Sequence, residues 1–382
     1  MTGWKEEKLE NIFYIVKEVY KPSNEHQYKY VGLSHIEQGT LRLNGWGHSN
    51  SVQSNKYFFK KDDILFGKLR PYFRKVIKAP FDGVCSTDIW VCRAKKDFDQ
   101  NFLFYFLANQ EFIDTANSTD EGTRMPRADW NYLKKTTWII PPLPEQKAIA
   151  EVLSSFDDKI NLLTRQNKTL EDLAQAYFRK WFIEDASKEW EVVPISEKFD
   201  VLLGGTPSRK IESYWTNGTI GWINSGKINE FRIIEASEYI TEEALNNSSA
   251  KLLPAGTTVL AITGATLGKI SMVLRSFAAN QSVIGLVPKA ELSNNFIFLW
   301  LKENINALIS MQTGGAQQHI NSNDVKSFDV IVPDTVALSL FRRKIDPLML
   351  KISQNCFQIN TLNKLRDTLL PKLISGEIRV KM

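Results

Sequence analysis

The stretch that decides the fold covers residues 141–181 and reads PPLPEQKAIAEVLSSFDDKINLLTRQNKTLEDLAQAYFRKW. Its seam positions recur at alternating spacings of four and three residues, which is the 3.5-residue period of a coiled coil. They are Ile149, Leu153, Phe156, Ile160, Leu163, Asn167, Leu170, Ala174, Tyr177 and Trp181. The stretch therefore predicts one long helix that needs a partner, because its apolar stripe would otherwise face water.

A second stretch repeats this seam, without a gap, at an offset of 192 residues. Its positions are Phe341, Ile345, Leu348, Ile352, Asn355, Ile359, Leu362, Arg366, Leu369 and Leu373. Each seam contains one Asn, Asn167 or Asn355, and a polar seam residue costs stability but fixes the register of a helix pair. We expect the two helices to pair with each other in antiparallel orientation. The alternative is that both are ordinary core helices of one large domain.

Proline and glycine mark the expected ends of the two helices. The first helix is expected to start after the prolines at residues 141–144, and the second after Pro333. Pro347 and Pro371 fall within the second pattern and predict either a kink at each or a late start and an early end. Gly376 is a plausible stop, since Gly readily adopts the left-handed conformation that ends many helices.

The segments outside the helices repeat as well. Residues 138–141 align with residues 330–333 at an offset of 192, and residues 102–107 align with residues 296–301 at an offset of 194. Residues 63–65 align with residues 258–260 at an offset of 195. At an offset of 186, the residues Trp4, Leu9 and Phe13 align with Trp190, Ile195 and Phe199. Short β-branched runs in these segments indicate strands. The sequence therefore predicts an α+β fold with a pseudo-two-fold internal repeat. Two similar, mostly-β globular domains at residues 1–144 and 187–335 are joined by two long antiparallel coiled-coil helices at residues 145–186 and 336–382.

The composition limits the class of protein. The 382 residues are 43% hydrophobic and 24% charged, which is typical of a globular chain. No apolar run approaches the ~18 residues of a membrane span, and three cysteines, Cys85, Cys92 and Cys356, are too few for a disulfide framework. We therefore expect a soluble protein in a reducing, cytoplasmic setting, without a membrane partner, in which Cys85 and Cys92 are small core residues.

The net charge of +5 conceals an uneven distribution. Basic residues exceed acidic ones in residues 1–144 (21 against 17) and in residues 336–382 (9 against 3). Acidic residues are in excess in residues 145–186 (8 against 6) and in residues 187–335 (15 against 12). The charge therefore permits nucleic-acid binding by the first domain and the last helix, but it argues against strong binding by the second domain alone.

Catalytic and metal-binding motifs are missing or incomplete. The run GATLGKI at residues 264–270 resembles a phosphate-binding loop, but it has one spacer residue too few and Ile in place of the Ser or Thr that holds magnesium. Asp62, Asp63 and Lys68 are the nearest match to a metal-dependent nuclease, yet residues 257–258 in the second half are both Thr. We expect turns at both places, and we assign no catalytic residue, no metal ligand and no directly bound cofactor.

Two paired elements carry the residue types that bind nucleic acid. The first is a basic and aromatic run at residues 56–78, matched by the turn at residues 263–270, whose hydroxyls, amides and lysine also suit phosphate. The second is a polar loop at residues 118–127, matched by residues 312–322, where Arg would pair with guanine and Gln or Asn with adenine. The candidate DNA-binding residues are Lys68, Arg70, Arg74, Lys75, Thr123, Arg124, Arg127, Thr263, Thr266, Lys269, Gln312, Thr313, Gln317, Gln318 and His319. A solvated strand face and a plain polar loop are the alternative interpretations.

Several longer motifs match one known family. They are IIPPLPEQKAI at residues 139–149 with DDKI at 157–160, LLPKLISGEI at 369–378, GATLGKI at 264–270, NQSVIGL at 280–286 and CSTD at 85–88. On these residues the sequence resembles the specificity subunit of type I restriction-modification enzymes, over nearly the whole chain. One departure is that residues 335–338 read TVAL where residues 143–146 read LPEQ, so only one half carries the full signature.

The resemblance implies that residues 1–144 and 187–335 are target-recognition domains, each reading one half of a bipartite site in double-stranded DNA. It implies that the helices act as an antiparallel coiled-coil ruler between the half-sites. It further implies a subunit without its own active site that binds two modification subunits, which carry S-adenosylmethionine and methylate adenine. Restriction subunits are a further partner that the sequence leaves open. A stand-alone DNA-modifying enzyme with a cryptic site and a scaffold without DNA contact are the alternatives.

Overall fold

The computed structural model describes residues 3–23, 26–118, 125–311 and 319–381. The chain divides into two compact units, the first made of Met1–Ile160 with Thr361–Met382 and the second of Asn161–Asn360. Each unit therefore contains one globular domain and one segment of each long helix.

The first unit holds eleven of the strands described in the chain. They are β1 (Lys5–Lys8), β2 (Phe13–Val16), β3 (Val19–Tyr20), β4 (Lys29–Val31), β5 (Gly47–His48), β6 (Lys56–Phe59), β7 (Ile64–Gly67), β8 (Val76–Lys78), β9 (Gly83–Cys85), β10 (Ile89–Ala94) and β11 (Thr137–Ile140). The helices that begin in this unit are α1 (Leu9–Ile12), α2 (Gln100–Ala108), α3 (Gln110–Asn117), α4 (Trp130–Leu133) and the long α5 (Leu143–Arg179).

These strands form three sheets, with the orders β1-β11, β2-β10-β7-β8 and β3-β6-β9-β4-β5. All pairs are antiparallel except β4 with β9. Helix α2 is capped by the Asp99 carboxylate, which accepts the Phe102 amide at 2.8 Å. Every residue from Phe102 to Leu107 is buried, so this helix supplies the centre of the core.

The second unit contains the remaining described strands. They are β12 (Glu191–Pro194), β13 (Phe199–Leu203), β14 (Ile220–Ile223), β15 (Glu238–Ile240), β16 (Leu252–Leu253), β17 (Thr258–Ala261), β18 (Ile270–Met272), β19 (Phe277–Ala279), β20 (Val283–Pro288) and β21 (Asp329–Val332). The helices that begin here are α6 (Ile195–Lys198), α7 (Glu242–Asn246), α8 (Asn294–Ser310), α9 (Ser322–Ser327) and the long α10 (Thr335–Ile374). The sheet orders are β12-β21, β13-β20-β17-β18 and β15-β14-β19-β16, and again a single pair, β14 with β19, is parallel. Apart from β3, an additional edge strand of the first domain, the described strands of the two domains follow the same order, which confirms the internal repeat.

The strand register corrects one predicted offset of the repeat. In the first domain Gly67 of β7 pairs with Ile89, and in the second Ala261 of β17 pairs with Val283. These pairs match β7 to β17 at an offset of 194, so the offset of 195 was wrong, and the counterpart of Thr258 is Ile64. A slip of one residue would turn every side chain to the opposite face of the sheet, so the buried faces fix this alignment.

Within each unit the segments of α5 and α10 lie antiparallel. In the first unit Arg366 donates to Asp157 at 2.6 Å, and in the second Asn355 donates to Asn167 at 2.9 Å. Twelve of the predicted seam residues are buried, namely Ile149, Leu153, Ile160, Leu163, Asn167, Ala174, Phe341, Ile345, Ile352, Asn355, Arg366 and Leu373. Phe156, Leu170, Leu348, Ile359, Leu362 and Leu369 are partly exposed. The two asparagines of the seams are therefore partners across the helix pair.

The predicted seam is wrong at the end of α5. Tyr177 is 37% exposed and Trp181 is partly exposed, whereas Phe178 and Phe182 are buried. A straight α-helix has 3.6 residues per turn, so a 3.5-residue pattern drifts off the buried face with distance. A short π-helical segment at Lys180–Glu184 follows this point. The buried stripe consequently moves one residue along the chain.

Helix α10 runs through Pro347 and ends beyond Pro371 at Ile374, so a late start and an early end were wrong. Gly376 has a φ of 75°, the left-handed conformation expected of a helix stop. The three cysteines are buried, which confirms Cys85 and Cys92 as core residues, and burial raises the pKa of each thiol, that of Cys356 to about 11. Among the described residues no helix is both long and apolar enough to cross a bilayer.

Candidate nucleic-acid interface

In the first domain the turn between β7 and β8 lies beside the end of the polar loop. The Arg70 amide donates to the Pro126 carbonyl at 2.7 Å, and the Ala128 amide donates to the Lys68 carbonyl at 2.9 Å. Leu69 and Arg127 form an antiparallel β-bridge between these two contacts. The basic run and the polar loop, which the sequence presents as separate elements, therefore meet through their backbones.

The second domain repeats this junction. The Ile320 amide donates to the Ile262 carbonyl at 3.0 Å, and Thr263 forms an antiparallel bridge with His319. The turn residues of the two domains correspond at an offset of 194, the offset that also relates β7 to β17. The loop residues correspond at an offset of 192, the offset that also relates β11 to β21. We call this the turn–loop surface, made of residues 68–74 with 125–128 in one domain and 262–269 with 319–320 in the other.

The charged side chains of the first turn–loop surface differ in accessibility. Lys68 and Arg70 are partly exposed, and the Tyr72 ring is 46% exposed. The side chain of Arg127 is 51% exposed, and its Nε donates to Asp88 Oδ1 at 3.4 Å. The surface thus presents three cations and one aromatic ring. One of the cations, Arg127, lies beside a carboxylate. This set of groups suits contacts to phosphate and to base edges.

Arg74 and Lys75, two of the candidate residues, are directed into the domain. Arg74 donates from Nε to the Ala108 carbonyl at 2.8 Å and from Nη2 to Asp367 at 3.2 Å, and its side chain is 16% exposed. The Lys75 ammonium donates to the Leu33 carbonyl at 2.5 Å, and burial lowers its pKa. These contacts correct the candidate set, because both side chains stabilise the fold from within.

The two turns share an unusual backbone. Arg70 and Arg74 have φ values of 52° and 48°, and the corresponding Gly264 and Gly268 have values of 66° and 76°. This left-handed region costs a residue with a side chain roughly 1–2 kcal/mol but costs glycine almost nothing. The GATLGKI run therefore forms a turn between β17 and β18, as expected, and the first domain builds the same turn from strained arginines.

Side chains of the second turn–loop surface are mainly uncharged. Thr263 and Thr266 are partly exposed, and Lys269 and His319 are exposed. The Thr266 hydroxyl donates to the Thr263 carbonyl at 3.4 Å, which orders the turn. The second domain therefore presents hydroxyls, an imidazole and one ammonium group, where the first presents two guanidinium groups and one ammonium group.

Sequence reasoning missed Thr206 and Gln281. The Thr206 hydroxyl donates to Gln281 Oε1 at 2.6 Å, and the Ile262 amide donates to the neighbouring Ser282 carbonyl at 3.0 Å, which places this pair beside the turn. A Cβ on Gly204 would lie 2.2 Å from the Asn280 carbonyl oxygen, so only glycine permits this close approach. The signal in the sequence was the glycine pair directly before Thr206.

The remaining candidates lie outside the described residues. They are Thr123, Arg124, Gln312, Thr313, Gln317 and Gln318. Within the described part of the chain, no group of three or more His, Cys, Asp or Glu could hold a metal ion. Asp62 adopts a left-handed turn with φ of 69°, as expected of a turn residue. Asp63 instead accepts two hydrogen bonds from Arg93, at 2.5 and 2.8 Å, which raise the pKa of that guanidinium.

Comparisons with known proteins place this architecture in a family. The family model for the type I restriction modification DNA specificity domain matches residues 1–172 and 187–338. The chain is 28% identical over 331 residues to the type I restriction enzyme MjaIX specificity subunit of Methanocaldococcus jannaschii, with 81% of this chain and 72% of that protein covered. It is 22% identical over 405 residues to the type I restriction enzyme HindI specificity subunit of Haemophilus influenzae, with 85% and 88% covered.

A solved structure shares the fold. The crystal structure of the type I restriction-modification system S subunit from M. genitalium covers 100% of this chain and 97% of that one, with a TM-score of 0.57 and 18% identity. The family model matches in two copies that coincide with the two structural repeats and together span most of the chain. The chain therefore belongs to the family of type I restriction-modification DNA specificity proteins.

Proposed function

We propose that this chain is the non-catalytic DNA sequence-recognition subunit of a type I restriction-modification complex. Each domain reads one half of a bipartite site in double-stranded DNA through its turn–loop surface. The observation that carries the proposal is the repeat of this surface, with the same backbone junction, in two domains of one topology. Membership of the specificity family supports the same assignment.

The chemistry of the two surfaces supports recognition of two different half-sites. The first presents Lys68, Arg70 and Arg127, and Arg pairs bidentately with guanine in the major groove. The second presents Thr263, with Gln281 close by, and Gln pairs with adenine. A shared fold with different groups at the same position is expected of two related readers of different sequences.

The long helices dock the modification subunits in this proposal. Both helices carry large apolar side chains that are exposed, namely Leu162, Leu173, Tyr177, Val336, Leu350, Phe357 and Leu365. These side chains are available for contact with a partner, and we include them in the proposed docking surface. Two modification subunits bind there, supply S-adenosylmethionine and methylate adenine. Restriction subunits are a further partner that this proposal leaves open.

A methylation map of the host genome tests the proposed function. We expect methyl-adenine in both halves of a split motif, and we expect that signal to vanish when the gene is deleted. Methylation or cutting of DNA by the purified chain alone would instead support the stand-alone enzyme. If the assembled complex does not retard DNA at any salt concentration, the chain is a scaffold and the proposal fails.

A further inference from the structure

The backbone of the turn in the first domain is strained, whereas the backbone of the matching turn in the second domain is not. Arg70 (φ 52°, ψ 65°) and Arg74 (φ 48°, ψ 48°) occupy the left-handed positions that Gly264 and Gly268 fill in the second domain. Glycine at both positions would build the same turn without strain, as the second domain shows. The arginine side chains must therefore supply something that glycine cannot.

The Arg74 side chain makes contacts within the domain that glycine could not make. Its guanidinium joins the Ala108 carbonyl, at the end of α2, to Asp367 on α10, and its side chain is 16% exposed. A charge-assisted pair of contacts between two elements of one unit offsets the strain at this position. The structural contacts of Arg74 therefore account for an arginine at this strained position.

Arg70 lacks a comparable explanation within the described part of the chain. Its Nε is buried and has no hydrogen-bond partner there, and its guanidinium lies 5.9 Å from the centre of the Phe73 ring. The backbone contact of Arg70, from its amide to the Pro126 carbonyl, would be kept by glycine. Strain at a residue whose side chain does not stabilise the fold is typical of functional sites. Because Nε is buried, a ligand would contact the other nitrogens of the Arg70 guanidinium.

An anion is the ligand that suits Arg70 best, because every group that its side chain adds to the turn is a cationic donor. Lys68 and Arg127 lie on the same surface as Arg70, and Asp88 offsets the charge of Arg127, so the charge around Arg70 is net positive. Building on the proposed function, we propose that Arg70 binds a backbone phosphate of DNA and anchors the first half-site independently of sequence. The second domain, with Gly264, lacks this anchor, in keeping with its excess of acidic residues.

The test is Arg70→Gly, which copies the second domain, in the full chain assembled with its modification subunits. Loss of one phosphate contact should reduce the slope of log K against log salt by about one and weaken binding roughly tenfold at 0.1 M salt. The recognised sequence should stay the same, and the melting temperature should be unchanged or higher by about 2 °C because strain is removed. Arg70→Lys, which keeps the charge, should retain the wild-type slope.

Arg74→Gly is the matched control, and it should lower the melting temperature while leaving the salt slope unchanged. An Arg70→Gly complex with the wild-type slope would overturn the proposal, as would a loss of stability equal to that of the control. A changed recognition sequence would make Arg70 a base reader and would also overturn the phosphate assignment. If the wild-type complex itself fails to bind DNA, the proposed function has failed, which is a separate result.

Discussion

The two units share one topology but stabilise their helix pairs with different polar contacts. In the first, Asp157 accepts hydrogen bonds from Arg366 and from the Tyr105 hydroxyl, both at 2.6 Å, and the Arg366 side chain is 1% exposed. In the second, the amides of Asn167 and Asn355 meet at 2.9 Å, and both residues are buried. One repeat is thus held by a buried ion pair and the other by a neutral amide pair.

The difference teaches which features a duplicated fold preserves. The apolar pattern and the strand order recur, because a change in either would expose the core of a whole domain. Polar contacts recur less, because each must only be satisfied by its own neighbours. The turn–loop surfaces follow the same rule, with arginines in one domain where the other has glycines. Substitutions at the polar positions that differ between the repeats should therefore show which residues stabilise the fold and which determine DNA specificity.

Removal of Arg366 should have the largest effect on stability. Arg366→Ala leaves the Asp157 carboxylate without its guanidinium partner, so we expect the free energy of unfolding to fall by about 3 kcal/mol or more. Urea denaturation of the variant measures this loss. As a control, Arg366→Met combined with Asp157→Leu removes both charges and should restore most of it. A single variant within 1 kcal/mol of wild type would show that the ion pair does not anchor the first unit.

Replacement of the amide pair should act in the opposite direction. Asn167→Leu with Asn355→Leu substitutes apolar contacts for a buried amide pair, and Asn355 Oδ1 already lacks a partner among the described residues. We expect the double variant to be more stable by roughly 1 kcal/mol, since a polar seam residue costs stability. Thermal unfolding measures the change. The single variant Asn355→Leu should gain less because Asn167 stays buried, and a destabilised double variant would contradict this account.

A smaller, acid-dependent effect should distinguish the starts of the two long helices. Asp334 accepts the Ala337 amide at 2.8 Å and the Trp190 indole N–H at 3.2 Å, and these contacts lower its pKa. The stability that the ionised Asp334 adds to the folded state is therefore fully present above its unfolded pKa of about 4. This stability is lost as the pH falls through the lower pKa of the folded state. In the first domain the buried Glu145 accepts the Trp4 indole N–H and is ion-paired with Arg379.

The corresponding test compares melting temperatures at pH 6 and pH 3. Asp334→Asn keeps a capping oxygen but cannot be protonated, so the variant should lose slightly less stability on acidification than the wild type. Glu10→Gln, at an exposed carboxylate of the first domain, is the control and should behave as wild type. An equal acid sensitivity in all three proteins would remove Asp334 from this account.

The sequence alone predicted the repeat, the two long helices and the turn at residues 264–270, because each rests on a local pattern. It did not predict the burial of Phe178 and Phe182 in place of Tyr177 and Trp181, because drift of a straight helix depends on its partner. The partner of Arg366 lies 209 residues away, at Asp157, and no local pattern reveals it.

The candidate site remains a prediction, but the structure shows which of its elements lie together and which of its side chains point into the domain. The basic run and the polar loop were identified separately, and the structure joins them through the Leu69–Arg127 and Thr263–His319 bridges. The inward direction of Arg74 depends on the Ala108 carbonyl and on Asp367, which are distant in the sequence, and a charge pattern does not encode them.

The central claim, that each domain reads its own half-site, is tested most directly by methylation mapping with two variants of the assembled complex. Arg127→Ala changes the turn–loop surface of the first domain, and Gln281→Ala changes a residue beside that of the second. Each should relax recognition roughly tenfold to a hundredfold in one half of the motif, and the two variants should affect opposite halves. If both variants alter the same half, or either alters both halves, the account is contradicted.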